Sequence, residues 1–399
     1  MSYRAVLLSA FVFFLLSGPV ESLVARHVSP DWQYRLTILF CFFSGLGLST
    51  FALVKHRSRF LTAIKAAWPV FAFSAVALAS VTWSISPAAT IPAALALTFF
   101  ALATTALCAM VTWRELLTGM LLATVFIGLL SLILIPIGGL MVDIHEGALR
   151  GPYGEKNRAG VVYAIGALSA MGLVFTDRRL SWLLAVPFFL VLLVLSKSGT
   201  SILACGLGLS AFAYGEILRG KPRRLILGSW LGIIVAAGIG VLVLNNAETL
   251  LDMAGEDATF TGRNKIWPSV LWRIQESPWL GYGYDAFWRE GNVSMDWLWY
   301  EAGFDVFNAH NGWLETMLAV GIPGTALMLW LVIRTGIAGL VGLNGNNDAR
   351  RFALPAIVMI LMMSLTESAI GGPEGPAWLF LLVIGTKAAM GQETPNRQS

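Results

Sequence analysis

Residues 91–112, IPAALALTFFALATTALCAMVT, contain no charged side chain. A bilayer core is crossed by about 20 mostly apolar residues in helical form, and inside lipid an unbroken helix satisfies every backbone amide of the segment itself. This stretch therefore reads as a membrane-spanning helix. Working outward, comparable runs fall at 5–24, 36–54, 66–83, 116–140 and 159–175, then at 180–196, 201–217, 225–244, 312–333, 352–370 and 376–390. The pattern predicts an all-α polytopic membrane protein of about twelve transmembrane helices with one large extracytoplasmic loop. Hydrophobic residues make up 57% of the chain and charged residues 13%, too apolar for a soluble protein. No separate soluble domain is left over.

The first run ends at Ser22–Arg26 without a small-x-small cleavage pattern, so it is read as helix one rather than a signal peptide. Pro19 and Pro136 interrupt runs, where neighbouring helices must satisfy the freed backbone groups. Cys41, Cys108 and Cys205 all lie in apolar runs, which fits small packing residues and not a disulfide framework or a cysteine metal site.

Lys and Arg accumulate on the cytoplasmic side of membrane proteins. With the N-terminus inside, 17 of the 27 basic residues fall on that side, and acidic residues divide 5 inside to 18 outside. Both termini are then cytoplasmic. The ten basic exceptions are Arg26, Arg35, Arg150, Lys156, Arg158, Lys197, Arg263, Lys265, Arg273 and Arg289. Most of them cluster in three short outer segments, which is where function is sought.

The chain divides into 1–244 with helices one to nine, a loop over 245–311, and 312–399 with helices ten to twelve. The hydrophilic part of that loop, 245–309, is far longer than the 12–15 residues beyond which loops are usually functional or disordered. It holds Trp267, Trp272, Trp279, Trp288, Trp297 and Trp299, six of the fifteen tryptophans, and disordered segments are aromatic-poor. Ile266, Val270, Leu271 and Ile274 share one helical face, and Ser277-Pro278 ends it. A short amphipathic helix at the membrane surface is expected. The tryptophans fit either an interfacial anchor belt or platforms for the C–H faces of sugars.

The loop closes on Asn308-Ala309-His310-Asn311-Gly312-Trp313-Leu314-Glu315. Histidine titrates near neutral pH and takes a proton from a hydroxyl nucleophile when it acts as a general base. The alternative for His310 is a hydrogen-bonding cap at a helix start, and spacing does not separate the two. The second segment, Arg150-Gly151-Pro152-Tyr153-Gly154-Glu155-Lys156-Asn157-Arg158, combines glycines that admit close backbone approach with cations suited to phosphate oxygens. Such a pattern suits a diphosphate, although a basic glycine-rich turn is more often plain loop chemistry. In the third, Ser196-Lys197-Ser198-Gly199-Thr200-Ser201, a cation at the membrane boundary needs snorkelling or an anionic partner. There is no Walker-type loop, dinucleotide fingerprint or metal-ligand spacing, so neither a cofactor nor a nucleic-acid partner is expected, and the energy for a reaction must arrive with the substrate.

An ordered series of residues resembles the bacterial O-antigen ligase and polysaccharide polymerase membrane proteins, particularly the ExoQ-like exopolysaccharide polymerases. It runs through Thr261-Gly262-Arg263, Ile266-Trp267, Pro278-Trp279-Leu280-Gly281-Tyr282-Gly283-Tyr284, Phe287-Trp288, His310-Asn311, Leu314-Glu315 and Gly321-Ile322-Pro323-Gly324. The resemblance is strongest over 245–325, with support from Trp83–Pro87, Gly151–Asn157 and Leu365-Thr366-Glu367-Ser368. It implies a GT-C-like glycosyltransferase fold with a large periplasmic loop, in the bacterial inner membrane. It also implies metal-independent, inverting transfer from undecaprenyl-diphosphate-linked oligosaccharide at the periplasmic face, with membrane lipid, a flippase and a chain-length regulator as partners. On that basis His310 activates the acceptor hydroxyl, Arg263 and Arg150 contact the lipid diphosphate, and Lys156, Asn157 and Asn311 complete the substrate site. Many family members carry an Arg where Gly199 stands here, and Lys197 would supply that charge from two positions earlier. Polymerase is preferred on the Gly281–Tyr284 and Phe287-Trp288 motifs, with ligase as the alternative. A secondary transporter is the competing class. It is disfavoured because the helices are nearly free of internal charge and the long insertion falls late in the chain.

Overall fold

The computed structural model describes residues 1–28, 31–137, 141–142, 147–219, 263–289, 306–373 and 375–391, with single positions 221, 228 and 300. Within these residues the fold is helical and no strand occurs. Among the described residues, eight helices are long and apolar enough to cross a membrane, or nine if a bent pair is one span. About twelve were expected, and the differences have local causes. The run at 66–83 is not one straight span: α4 (Arg57–Ala66) and α5 (Trp68–Ala79) are parts of a pair bent by 69°. Pro69 in the first turn of α5 has no N–H to continue a helix, and the basic residues Arg57, Arg59 and Lys65 belong to α4. The runs at 180–196 and 376–390 form shorter apolar helices, and the run at 225–244 lies outside the described residues apart from Gly228.

The first run is broken at Gly18, whose φ of 88° separates α1 (Tyr3–Leu16) from α2 (Pro19–His27). Beyond it lie α3 (Asp31–Lys55), α6 (Pro87–Met110), α7 (Trp113–Ile133), α8 (Lys156–Asp177), α9 (Ala185–Ser196) and α10 (Gly199–Leu218). Later in the chain come the loop helix α11 (Arg263–Glu276), then α12 (Gly312–Gly342), α13 (Asp348–Thr366) and α14 (Pro376–Met390). Helix α14 is apolar on all sides apart from Lys387 in its last turn, and every residue from Pro376 to Ala388 is buried. A helix with no polar face belongs in a core, and α14 packs against α4, α6, α8, α12 and α13. Small residues bring the spans close, as membrane helices require. At Gly119 a side-chain carbon would meet Ser9 and the backbone of α1. The outer faces stay apolar and exposed, with Phe42, Phe43 and Leu46 on α3 and Leu329, Trp330, Ile333, Ile337 and Val341 on α12.

The two ends of the bundle differ. At one, basic side chains meet carbonyls at helix C-termini, where cations are favoured. Arg334 donates to Ala66 O (2.7 Å), Arg350 to Ala388 O (3.0 Å) and Lys387 to Val111 O. Arg114 pairs with Asp177 at 2.6 Å and Arg351 with Glu216 at the same end. Helices α8, α10 and α12 start at the other end, and α13 finishes there. That end gathers the segments around Asn157, Ser198, His310 and Glu367.

Candidate active site

Two clusters of residues make the site. The first is a junction beneath the long loop. In α12, Gly321 takes φ 62° and ψ −158°, a region essentially reserved for glycine, and Pro323 has no N–H to offer the Ala319 carbonyl. The carbonyls thus released are taken up by the loop. Tyr282 N–H donates to Leu318 O (2.7 Å) and Gly283 N–H to Ala319 O (3.0 Å), while Ile322 N–H donates to Pro278 O (3.0 Å). The loop segment is tied in turn to the residues before α6. Ile85 N–H donates to Tyr282 O (3.0 Å), Trp83 Nε1 to Leu280 O (2.9 Å) and Tyr284 N–H to Ser80 Oγ (2.9 Å). Gly283 lies so close to Ser84 that a side-chain carbon there would sit 2.3 Å from its hydroxyl. Tyr282 also donates to Arg273 O (2.8 Å) and to Glu276 (3.1 Å). Burial, and then the Glu276 carboxylate, push its phenol up to about 12, which keeps it a donor.

The second cluster holds His310. Its backbone is left-handed, φ 47°, and its N–H donates to Asn308 Oδ1 at 2.9 Å. The turn is braced by loop aromatics. Trp267 Nε1 donates to Ala309 O (2.9 Å), and Trp288 Nε1 donates to Glu315 (2.7 Å), whose other carboxylate oxygen accepts from Ala309 N–H. Asn311, not His310, caps α12. Its Oδ1 accepts from Trp313 N–H (3.0 Å) and Leu314 N–H (3.2 Å), and its amide donates to Leu365 O (3.1 Å). Gly312 N–H donates to Glu367 O at 3.0 Å. These bonds lay the end of α13 against the histidine turn, and the Glu367 carboxylate comes within 3.6 Å of His310 Nδ1.

His310 and Glu367 face a cavity of about 550 Å³ together with Asn157, Arg158, Trp288, Arg289 and Glu315. The helices contribute Tyr34, Phe73 and Ala93 to its lining, and the loop contributes residues between Gly283 and Arg289. Arg289 is paired with Asp285 and stacks over Tyr34 at 4.7 Å from the ring centre. Arg158 reaches back to the break at Gly18, where a side-chain carbon would lie 2.5 Å from its guanidinium.

The residues singled out from sequence are placed as follows. His310 and Asn157 line the cavity, whereas Arg150, Lys156, Lys197 and Asn311 do not. Arg150 is half-buried, its N–H held by Met141 O at 2.9 Å, in a turn to which Arg26 donates through Gly151 O at 3.1 Å. Lys156 opens α8 and is half-buried. Lys197 ends α9 in a left-handed conformation, φ 52°, and is exposed. Arg263 is the first residue of α11, and its side chain lies outside what is described, as do Trp297 and Trp299. Arg158, Glu315 and Glu367 are the additions. Each sits within a quoted motif, but spacing along one chain gives no sign that Glu367 returns to His310.

The fold and the site define a multi-pass membrane protein with a histidine–carboxylate pair on the wall of a cavity at one end of its helical bundle. Residues 164–329 match the model of the O-antigen ligase family. It is 26% identical over 285 residues to the exopolysaccharide production protein ExoQ of Rhizobium meliloti, covering 66% of this chain and 63% of that protein. It is 27% identical over 229 residues to an O-antigen ligase of Pseudomonas aeruginosa, covering 56% of this chain and 51% of that one. The matches thus span less than two thirds of either relative's length.

Proposed function

We propose that this protein is a membrane glycosyltransferase that polymerises undecaprenyl-diphosphate-linked oligosaccharide repeat units into exopolysaccharide. It works at the periplasmic face of the bacterial inner membrane, with both termini in the cytoplasm. The observation that carries the reading is His310 on the cavity wall with its Nδ1 3.6 Å from Glu367. A carboxylate beside Nδ1 favours the tautomer protonated there and leaves Nε2 as the proton acceptor. Nε2 takes the proton from a hydroxyl of the acceptor sugar as that oxygen bonds to the anomeric carbon of the donor. The bond from that carbon to the diphosphate oxygen breaks, and undecaprenyl diphosphate leaves with the electron pair. Attack opposite the leaving group inverts the configuration.

Charge concentrates on the departing diphosphate, and fixed cations in a water-poor site stabilise it better than solvent does. Arg158 faces the cavity. Arg263 at the head of α11, and Arg150, Lys156 and Lys197 near the same membrane boundary, supply further positive charge around it. The leaving group supplies the driving force and no metal takes part, so turnover is expected to survive EDTA. Loss of activity restored by a divalent cation would contradict this. A flippase would deliver the lipid-linked units.

The Pseudomonas relative is named an O-antigen ligase, which favours a second reading, transfer of a finished glycan to lipid A core or another acceptor. Deleting the gene and sizing the glycans separates the two. Accumulated single lipid-linked repeats are expected for a polymerase, and long unattached glycan would establish the ligase.

A further inference from the structure

We infer that Asn157 and Ser198 form a positioning relay that holds Glu367 against His310, so that the turn between α9 and α10 acts on the base without touching substrate. The inference rests on the proposed role of His310. Asn157, expected from sequence to meet the substrate, has both ends of its amide engaged by protein. Its Nδ2 donates to Glu367 Oε1 at 2.8 Å, and its Oδ1 accepts from Ser198 Oγ at 2.8 Å. The other Glu367 oxygen, Oε2, is the one that faces His310 Nδ1.

The order of donors makes the chain directional. An amide has one donor end and one acceptor end. The Ser198 hydroxyl proton fixes which end of Asn157 meets it, and so presents the N–H₂ group to Glu367. Reversed, the amide would set its oxygen against a carboxylate oxygen, two acceptors with no proton between them. Ser198 is itself held: its hydroxyl lies 2.9 Å from Ser201 Oγ, and Ser201 Oγ donates to the backbone carbonyl of Asn157 at 3.4 Å. Ser198 and Ser201 are each 1% exposed, so bulk water has little access to stand in for a lost hydroxyl. The approach of the two helix starts depends on Gly160, one turn into α8, where a side-chain carbon would sit 2.5 Å from Ser201 Oγ. Lys197, the cation of this segment, stands outside the relay. Its neighbour Ser198 carries the link to the site.

The test uses full-length protein in liposomes, with lipid-linked repeat units extracted from a strain lacking the gene. Ser198→Ala should lower kcat by a few-fold to about tenfold, the worth of one buried neutral hydrogen bond, and Asn157→Ala, which removes a bond to a carboxylate, by roughly 10- to 100-fold, with KM for the donor unchanged in both. Ser198→Thr, which keeps the hydroxyl, should restore kcat. Because Ser198 also caps α10 by accepting from Ser201 N–H, Asn157→Ala is the variant that leaves that cap in place. In a Glu367→Gln background neither alanine variant should lower kcat further, since linked residues are not additive. Wild-type kcat in both alanine variants, effects that multiply with Glu367→Gln, or a raised KM at constant kcat would each overturn the relay while His310→Ala stays inactive. Full activity in His310→Ala would overturn the relay together with the function on which it rests.

Discussion

His310 depends on a backbone that few residues adopt. A φ of 47° is uncommon outside glycine, although histidine, asparagine and aspartate tolerate it better than most, and the Asn308 side chain, Trp267 and Glu315 hold the turn in that shape. Arg158 is the described cation on the cavity wall most suited to the donor diphosphate. Arg158→Ala is expected to raise KM for the lipid-linked donor by roughly 10- to 100-fold, the worth of a charge-assisted hydrogen bond, with a smaller change in kcat. Steady-state kinetics against donor concentration would show it, and an unchanged KM would remove Arg158 from the donor site. His310 was legible in the sequence because histidine is rare in this chain and this one ends the only long polar loop. Glu367 was not, since its meeting with His310 is made by tertiary bonds through Gly312 and Asn157. Asn311 shows the converse: a polar residue beside a catalytic candidate turned out to be a helix cap. Its pattern, a capping residue just before an apolar run, could have been read from sequence.

The kinked helix α12 and the Gly281–Tyr284 segment form one device. The break at Gly321 frees carbonyls, the N–H groups of the loop segment donate to them, and the segment is thereby fixed at the cavity that Gly283–Arg289 helps to line. Gly321→Ala places a side-chain carbon 2.3 Å from Trp279 O, in a backbone region that costs a non-glycine residue on the order of 1–3 kcal/mol before any clash. A clear drop in thermal stability in detergent, accompanied by loss of transfer, is expected. A variant as stable and active as wild type would show that the junction is dispensable. Sequence indicated that Gly281–Tyr284, Gly321–Gly324 and Trp83–Pro87 belonged to one pattern, but not that they touch. The reason for the pattern is backbone hydrogen bonding, which leaves no side-chain periodicity to read. The same holds for the loop tryptophans. Trp267 donates to the histidine turn and Trp288 to Glu315 in the first turn of α12, whereas Trp272 and Trp279 remain exposed, so neither a belt nor a sugar platform describes all four.

At the scale of the whole molecule, apolar run length was the most readable property, because a helix in lipid must close its own hydrogen bonds. Breaks at Gly18 and before Pro69 were harder to read, since they depend on what neighbours accept from the exposed backbone. Charge placement was readable as well. Arg114, Arg334, Arg350, Arg351 and Lys387 collect at the end of the bundle opposite His310. If that end is cytoplasmic, a cysteine at exposed Gly154 should react with a membrane-impermeant maleimide in cells with a permeabilised outer membrane, and a cysteine at Arg219 only after lysis. The three native cysteines are buried and give little background. The opposite labelling pattern would invert the proposed topology and move the site to the cytoplasm.

In the proposed function, His310 activates an acceptor sugar toward a lipid-diphosphate donor within this one chain. The most direct measurement is turnover by purified full-length protein in liposomes supplied only with undecaprenyl-diphosphate-linked repeat units. Wild type should form longer glycans and release undecaprenyl diphosphate, and His310→Ala should bind the donor yet turn over at least about a hundredfold more slowly, the lower range for loss of a general base. Elongation by His310→Ala at the wild-type rate would contradict the account.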